Sequence, residues 1–220
     1  MLVKTRAVFL QLTPFNEKTS IVKLFTENFG TVTFSVNGIY RSKKLKKSIF
    51  FQPLSLLDIV YENKEKKNIQ YLKEVRFDYP FSSANTDIFK TSILFFLNEV
   101  LIASLREQEA NAELYSFLHN TLQYLDVCQE NTSNFHLLFL LKFSAYLGFA
   151  PENISKQNDS FNLPDKLVNF YACSFSNMNK FTFSNIERKE ALNTIINYYK
   201  FHLPGFKEVK STAILEELFI

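Results

Sequence analysis

The chain has 220 residues, 46% of them hydrophobic, with 25 Phe, 10 Tyr and no Trp. That composition supports a packed core in one large domain or two small ones, and it excludes an extended disordered tract. The net charge of +3 is too small to imply a polyanionic partner by itself, so the distribution of charge has to carry that argument.

The first 80 or so residues alternate with period two and are rich in β-branched side chains, the pattern of half-buried strands. Strands are expected at Arg6–Leu12, Thr19–Thr26, Thr31–Tyr40, Leu54–Tyr61 and Ile69–Phe77. In the third, Val32, Phe34 and Val36 alternate with Thr31, Thr33 and Ser35. Thr13-Pro14, Asn28-Phe29-Gly30, Gln52-Pro53 and the charged stretch Glu62–Asn68 separate them as turns. Five short strands is the count of a small closed barrel of the OB type; SH3-like barrels share it.

After Tyr79-Pro80 the period becomes helical. Thr86 or Asp87 can cap a first helix to about Arg106, and Leu114, Phe117, Leu118, Leu122 and Leu125 mark the apolar stripe of a second. Ser133 or Asn134 opens a third, apolar on nearly every side and closed by Gly148 and Pro151, as suits the centre of a bundle. A β-hairpin is expected between Phe161 and Phe183, turning at Asn177-Met178-Asn179. Ser184 and Glu187 have the spacing of a capping box for a fourth helix to about Phe201, and Ser211 precedes a last amphipathic turn with Ile214, Leu215, Leu218 and Phe219. The expected fold is α+β: a five-stranded OB-type barrel in residues 1–79, then a helical domain with a small hairpin in residues 80–220.

The catalytic inventory is thin. His119, His136 and His202 lack a spacing that brings two onto one metal, and the four glycines are scattered rather than gathered into a phosphate loop. Asp58, Glu62 and Glu65 are the nearest approach to a carboxylate cluster and read as solvated turn charges. Cys128 and Cys173 are too few for a disulfide scaffold or zinc cluster, which points to a reducing compartment, and Cys173 reads as a small buried hydrophobe. Met1–Leu12 has no uninterrupted apolar stretch, so no signal peptide is read. The runs Ile93–Leu105 and Phe135–Phe149 are interrupted by Asn98 and Glu99 or by Lys142, and are shorter than the ~20 residues of a membrane span. The expectation is a cytoplasmic, non-enzymatic protein without metal or cofactor.

One segment departs from this even background. Arg41, Lys43, Lys44, Lys46 and Lys47 place five cations in seven residues after the third strand, more charge than the whole chain nets. Cations held together at a barrel rim suit polyphosphate, because each neutralised phosphate releases condensed counterions. A solvated loop is the competing reading. Ser42 and Ser48 add donors, and Tyr40, Phe50 and Phe51 flank the run, either as stacking surfaces for bases or as core. Lys23 and Arg76 are further candidate cations on the barrel. The alternatives at this level are an OB-type RNA-binding module and an adaptor that binds protein only.

A family resemblance narrows the choice. Ala7-Val8-Phe9-Leu10, Ser20-Ile21-Val22-Lys23-Leu24-Phe25-Thr26-Glu27 with Gly30, Val36-Asn37-Gly38, Arg41-Ser42 and Phe51-Gln52-Pro53-Leu54 together resemble the RecO family of bacterial recombination mediators. Asn98-Glu99-Val100-Leu101, Phe139-x-Leu141-Lys142 with Leu147-Gly148, and Leu215-x-x-Leu218 extend the resemblance. It implies an N-terminal OB-fold and a helical C-terminal domain. It further implies binding of single- and double-stranded DNA, strand annealing, and partnership with RecR and with the tail of the single-stranded-DNA-binding protein SSB to load RecA. The family's DNA surface maps onto Arg41, Lys43, Lys44, Lys46 and Lys47, with Asn37 where the family often has Lys. Some members carry a four-cysteine zinc site of which only Cys173 remains, so zinc is not expected. Lys142 is the candidate contact for the acidic SSB tail.

Overall fold

A computed structural model describes residues 1–39, 47–64, 67–105, 110–151, 161 and 163–218. These group into two compact units, Met1–Ser82 with Leu105–Gln123, and Ser83–Ser104 with Tyr124–Ile220.

In the first unit, β1 (Leu2–Pro14), β2 (Thr19–Thr26), β3 (Gly30–Asn37), β4 (Leu56–Glu62) and β5 (Ile69–Tyr79) close a barrel in the order β1-β2-β3-β5-β4. β1 is longer than the apolar alternation implies because it serves two partners. Its first half pairs with β4, Leu2 opposite Glu62, and its second half with β2, Pro14 opposite Ser20. β5 likewise pairs in parallel with β3 at Thr33↔Ile69 and Ser35↔Tyr71, then antiparallel with β4. β4 starts two residues later than expected. Gln52–Ser55 forms a turn in which the Ser55 N–H donates to the Gln52 carbonyl and Leu54 takes a positive φ of 58°.

Two of the three register irregularities in the barrel set which of these side chains face inward. Leu10 is passed over between Phe9↔Leu24 and Gln11↔Lys23, and Lys73 between Tyr61↔Leu72 and Val60↔Glu74. Each extra residue reverses the parity of the strand beyond it. Ala7 and Phe9, but then Leu12, thus face the interior; so do Leu72, but then Val75 and Phe77. Phe34 and Tyr61 meet edge to face at 5.1 Å in the centre of that core. Burying each such ring stabilises the barrel by about 2 kcal/mol.

Within the same unit, the first three turns of α2 (Ala112–Val127) lie on the outside of the barrel. Asn111 accepts the Leu114 N–H and starts the helix. The Arg6 guanidinium, doubly bonded to Glu27 at 2.9 and 2.6 Å, lies over the Tyr115 ring, and His119 meets Asp78 at 2.7 Å.

The second unit contains α1 (Ile88–Ser104), α3 (Phe135–Tyr146), α4 (Asp165–Tyr171), α5 (Asn185–His202) and α6 (Thr212–Leu218). Asp87 caps α1 by accepting the Lys90 N–H, and Ser184 and Glu187 form the reciprocal capping box of α5. Every residue of α3 from Phe135 to Leu141 is buried, so it is the central helix its composition implies. Ser211 stands at the N-terminal end of α6 as its position suggests, its carbonyl accepting the Ile214 and Leu215 N–H groups, and it has a second role besides. Its hydroxyl and N–H both donate to Glu99 on α1, fixing the start of α6.

The hairpin expected between Phe161 and Phe183 is corrected by the structure. α4 and a 3-10 turn at Phe175–Lys180 occupy this stretch. Pro164 precedes α4 in the extended conformation that starts a helix, and Leu167 and Phe170, three apart, bury on one side. The aromatic runs that look like two strands are tertiary packing: Phe170 meets Phe181 at 5.2 Å and Phe183 at 5.3 Å. Asn177-Met178-Asn179 lies in the 3-10 turn, where Met178 is buried. Cys173 follows α4 half-exposed, with its thiol directed to the Ser174 carbonyl, and is not the buried residue expected.

Candidate nucleic-acid interface

The outer wall of β1, β2, β3 and β5 is built in two adjacent rows. Thr13 lies opposite Ile21, Ile21 opposite Ser35 and Ser35 opposite Tyr71; in the next row Gln11, Lys23, Thr33 and Ile69 follow one another in the same way. Parity makes all of these face outward, because their neighbours Leu12, Val22, Phe34 and Leu72 fill the core. The wall therefore presents hydroxyls around one central cation, with two exposed apolar side chains at its β5 margin, Ile69 and Tyr71, the latter 48% exposed.

At one end of this wall stands the β1–β2 turn. Asn16 accepts the N–H groups of Lys18 and Thr19, which leaves Phe15 projecting at the tip, 72% exposed. The Lys18 carbonyl accepts the Gly38 N–H at 2.9 Å, so this turn is joined to the exit of β3. Gly38 has φ +72°, a conformation that a side chain would strain. Asn37 beside it accepts a hydrogen bond from the Thr19 hydroxyl. On the other side, Gln70 turns inward and bonds Lys64 and Lys67, fixing the β4–β5 turn next to Ile69.

Of the residues expected to bind, Arg41, Lys43, Lys44 and Lys46 lie outside the described residues, as does Tyr40. Lys47 begins the 3-10 turn Lys47–Phe50, half-exposed. Lys23 stands at the centre of the outer wall. Arg76 lies apart from it, on the β4–β5 side, where its guanidinium bonds Asp58 at 2.8 and 3.1 Å and Lys4 reaches the same carboxylate at 3.8 Å. The flanking aromatics are core: Phe51 is buried against Phe9, and Phe50 packs on Phe77 at 4.8 Å.

The carboxylates read as turn charges are held by cations, Asp58 by Lys4 and Arg76 and Glu62 by Lys64, while Glu65 is outside the described residues. The histidines are dispersed: His119 on Asp78, His136 buried against Phe96, and His202 stacked on Phe149. Among the described residues no three His, Cys, Asp or Glu side chains gather as metal ligands, and no helix is long and apolar enough to cross a membrane. In the second unit, Lys142 carries its ammonium from apolar α3 to the Tyr171 ring of α4, 4.7 Å from the centroid.

Sequence reading missed Tyr71 and Phe15. Ile69 and Tyr71 alternate with Gln70 and Leu72, and parity alone leaves open which pair is inside. The inward-turned Gln70 amide, which holds the β4–β5 turn, and the bulge at Lys73 decide it.

Comparison with known proteins agrees with this architecture across both halves. Residues 1–81 match the family model described as Recombination protein O N terminal, and residues 85–168 the one described as Recombination protein O C terminal. The chain is 35% identical to the DNA repair protein RecO of Flavobacterium psychrophilum over 238 aligned positions, covering 100% of both chains. It is 32% identical to that of Phocaeicola vulgatus and 30% identical to that of Porphyromonas gingivalis, again over 100% of each chain. A closed five-stranded barrel followed by helices, matched in both parts and aligned end to end with such relatives, belongs to the RecO family of DNA repair proteins.

Proposed function

We propose that this protein is a recombination mediator that binds single- and double-stranded DNA, anneals complementary strands, and with RecR helps load RecA onto SSB-coated DNA. It works without bond chemistry, metal or cofactor, in the cytoplasm at the nucleoid. The observation that supports the reading is a position in the sequence: the five cations of Arg41–Lys47 follow Gly38, whose backbone is bonded to the β1–β2 turn at one end of the Lys23 wall. Residues 1–79 act as the DNA-binding part and residues 80–220 as the platform for protein partners, with Lys142 as the cation that meets the acidic SSB tail.

Annealing needs both strands held by their phosphates, their repulsion screened, and their base edges left free. Lysines on a barrel whose two outer rows across β1, β2, β3 and β5 carry no carboxylate meet those needs without reading sequence. If about four of the basic side chains reach phosphates, log affinity for single strands should fall with log salt at a slope near −3.

The test is annealing of complementary oligonucleotides, naked and SSB-coated, with no nucleotide or metal added. Replacing Lys43, Lys44, Lys46 and Lys47 by Ala should flatten the salt slope, weaken binding to all sequences alike and slow annealing on both substrates. Lys142→Glu should slow annealing only on coated strands. A folded quadruple variant with wild-type affinity and slope would reject the DNA assignment. Preference for RNA over DNA of equal length would favour an RNA-binding module, and absence of nucleic-acid affinity at low salt would favour a protein-only adaptor.

A further inference from the structure

From the outer wall of the barrel we infer that Tyr71 is a stacking platform for one unpaired base of a single DNA strand, seated there with its phosphate near Lys23. The inference rests on the reading of the barrel as a DNA-binding part, and it adds the feature that distinguishes a single strand from a duplex.

Three observations converge on Tyr71. First, the bulge at Lys73 sets the parity of β5 so that Leu72 enters the core and Tyr71 points to solvent, 48% exposed. Second, its surroundings suit a nucleotide better than a protein partner. Tyr71 pairs across β3 with Ser35, and the adjacent row runs from Ile69 through Thr33 to Lys23, so an aromatic face, hydroxyl donors and a cation lie within neighbouring positions of one sheet. Adjacent strands are about 4.8 Å apart, which places Lys23 on β2 two strand spacings, roughly 10 Å, across the sheet from β5. That span is within reach of a ring and a flexible ammonium acting on the same strand of DNA. Third, the wall has only residues without negative charge in both rows: Thr13, Ile21, Ser35 and Tyr71 in one, Gln11, Lys23, Thr33 and Ile69 in the other. The first carboxylate beyond them is Glu62, opposite Tyr71 on β4, and Lys64 pairs with it at 3.4 Å. In barrels of this topology the face of the second and third strands and the neighbouring turns is where oligonucleotides lie.

The two side chains divide the work. Lys23 and the basic run supply attraction to phosphate, which salt screens and which duplex and single strand share. A ring face attracts any unpaired base but finds none accessible in an intact duplex, so Tyr71 contributes only to single-strand affinity, and without sequence preference.

The chain contains no Trp, so Tyr71→Trp introduces the sole indole of the protein. Its emission should be quenched when oligo(dT) binds and should not respond to a blunt duplex. Tyr71→Ala should lower affinity for the same oligonucleotide about tenfold, leave duplex affinity and the salt slope unchanged, and be rescued by Tyr71→Phe. Binding of each variant is followed by anisotropy of the labelled oligonucleotide, and circular dichroism checks the fold. Where the wild-type protein binds the strand, either an unresponsive Trp at saturation or a Tyr71→Ala variant of undiminished affinity overturns the stacking role alone. Failure of the wild-type protein to bind DNA at low salt overturns the function proposed above, and this inference with it.

Discussion

The two units place their polar groups in opposite ways. The barrel keeps its interior largely apolar and its ion pairs outside, Arg6 with Glu27 and Asp58 with Lys4 and Arg76, on walls that water reaches. The helical unit buries polar groups in its centre. Lys90, 6% exposed, donates to the Ser83 hydroxyl and to the carbonyls of Asp126 and Cys128, while the Asp126 carboxylate, fully buried, accepts the N–H groups of Ser83 and Ala84. Tyr199 reaches the Leu140 carbonyl from α5 and Tyr198 reaches that of Phe149. A closed sheet satisfies most of its own backbone, so its core carries few polar staples, the Gln70 amide at the β4–β5 turn among them. Helices joined by irregular segments bring carbonyls and N–H groups into the interior, and each must find a partner there.

The difference predicts unequal penalties for removing a charge. Lys90→Met leaves two buried carbonyls without their ammonium donor and should cost about 3–5 kcal/mol, read as a fall in the urea midpoint of the helical unit. The corresponding cut in the barrel, Glu27→Gln, opens a pair whose side chains are 40% and 24% exposed and should cost no more than about 1 kcal/mol. Equal penalties would break the comparison. DNA affinity below the transition should survive Lys90→Met, because the barrel is a separate unit.

Acid should find the same asymmetry. Burial, with the charge of Arg188 adding to it, holds the His136 pKa down at about 3 from its ordinary 6.5. The native state thus keeps this ring neutral where the unfolded chain protonates it. Its contribution is whole above pH 6.5 and is lost as pH falls from there towards 3, by about 1.4 kcal/mol per pH unit. Between pH 6.5 and 5 the unfolding free energy should decline, approaching that slope below about pH 5.5, and His136→Leu should flatten it. A wild-type slope that persists in the variant would assign the acid sensitivity to other groups. Glu99 acts lower on the scale: burial pushes its carboxyl up, but donors from Ser211 and Lys210 outweigh this and hold it below the usual range.

These contrasts also explain how much the sequence could reveal. Strand positions followed from alternation, and the caps of α1 and α5 from short-range spacing, because both depend on neighbours in the chain. The hairpin between Phe161 and Phe183 failed because rings three residues apart on a helix and rings on facing strands give similar aromatic runs; only the packing of Phe170 on Phe181 and Phe183 separates them. The Lys90 hub was illegible for a related reason. Its partners lie 36 and 38 residues away, and no local pattern announces them. At the candidate interface, the strand carrying Lys23 was legible, whereas Tyr71 depended on a bulge. Composition cannot locate a bulge.

The smallest effect concerns Arg76, which charge alone nominates as a DNA contact and which the structure shows engaged by Asp58. Lys4, Arg76 and Asp58 side chains are 62%, 66% and 18% exposed, so the carboxylate sits beneath two solvated cations and cancels part of their field. Asp58→Asn keeps the shape and removes the charge. Stability should change by no more than about 0.5–1 kcal/mol, since pairs exposed to this degree contribute little. If Arg76 touches phosphate, freeing it should strengthen DNA binding two- to threefold and steepen the salt slope by up to about 0.7 on single strands, the value of one additional phosphate contact. That gain should vanish in the Asp58→Asn, Arg76→Gln double variant, which isolates the arginine from the general rise in positive charge. A gain that survives the loss of Arg76 would confine the arginine to holding β4 against β5 and leave the proposed DNA contact to the Lys23 wall and the basic segment.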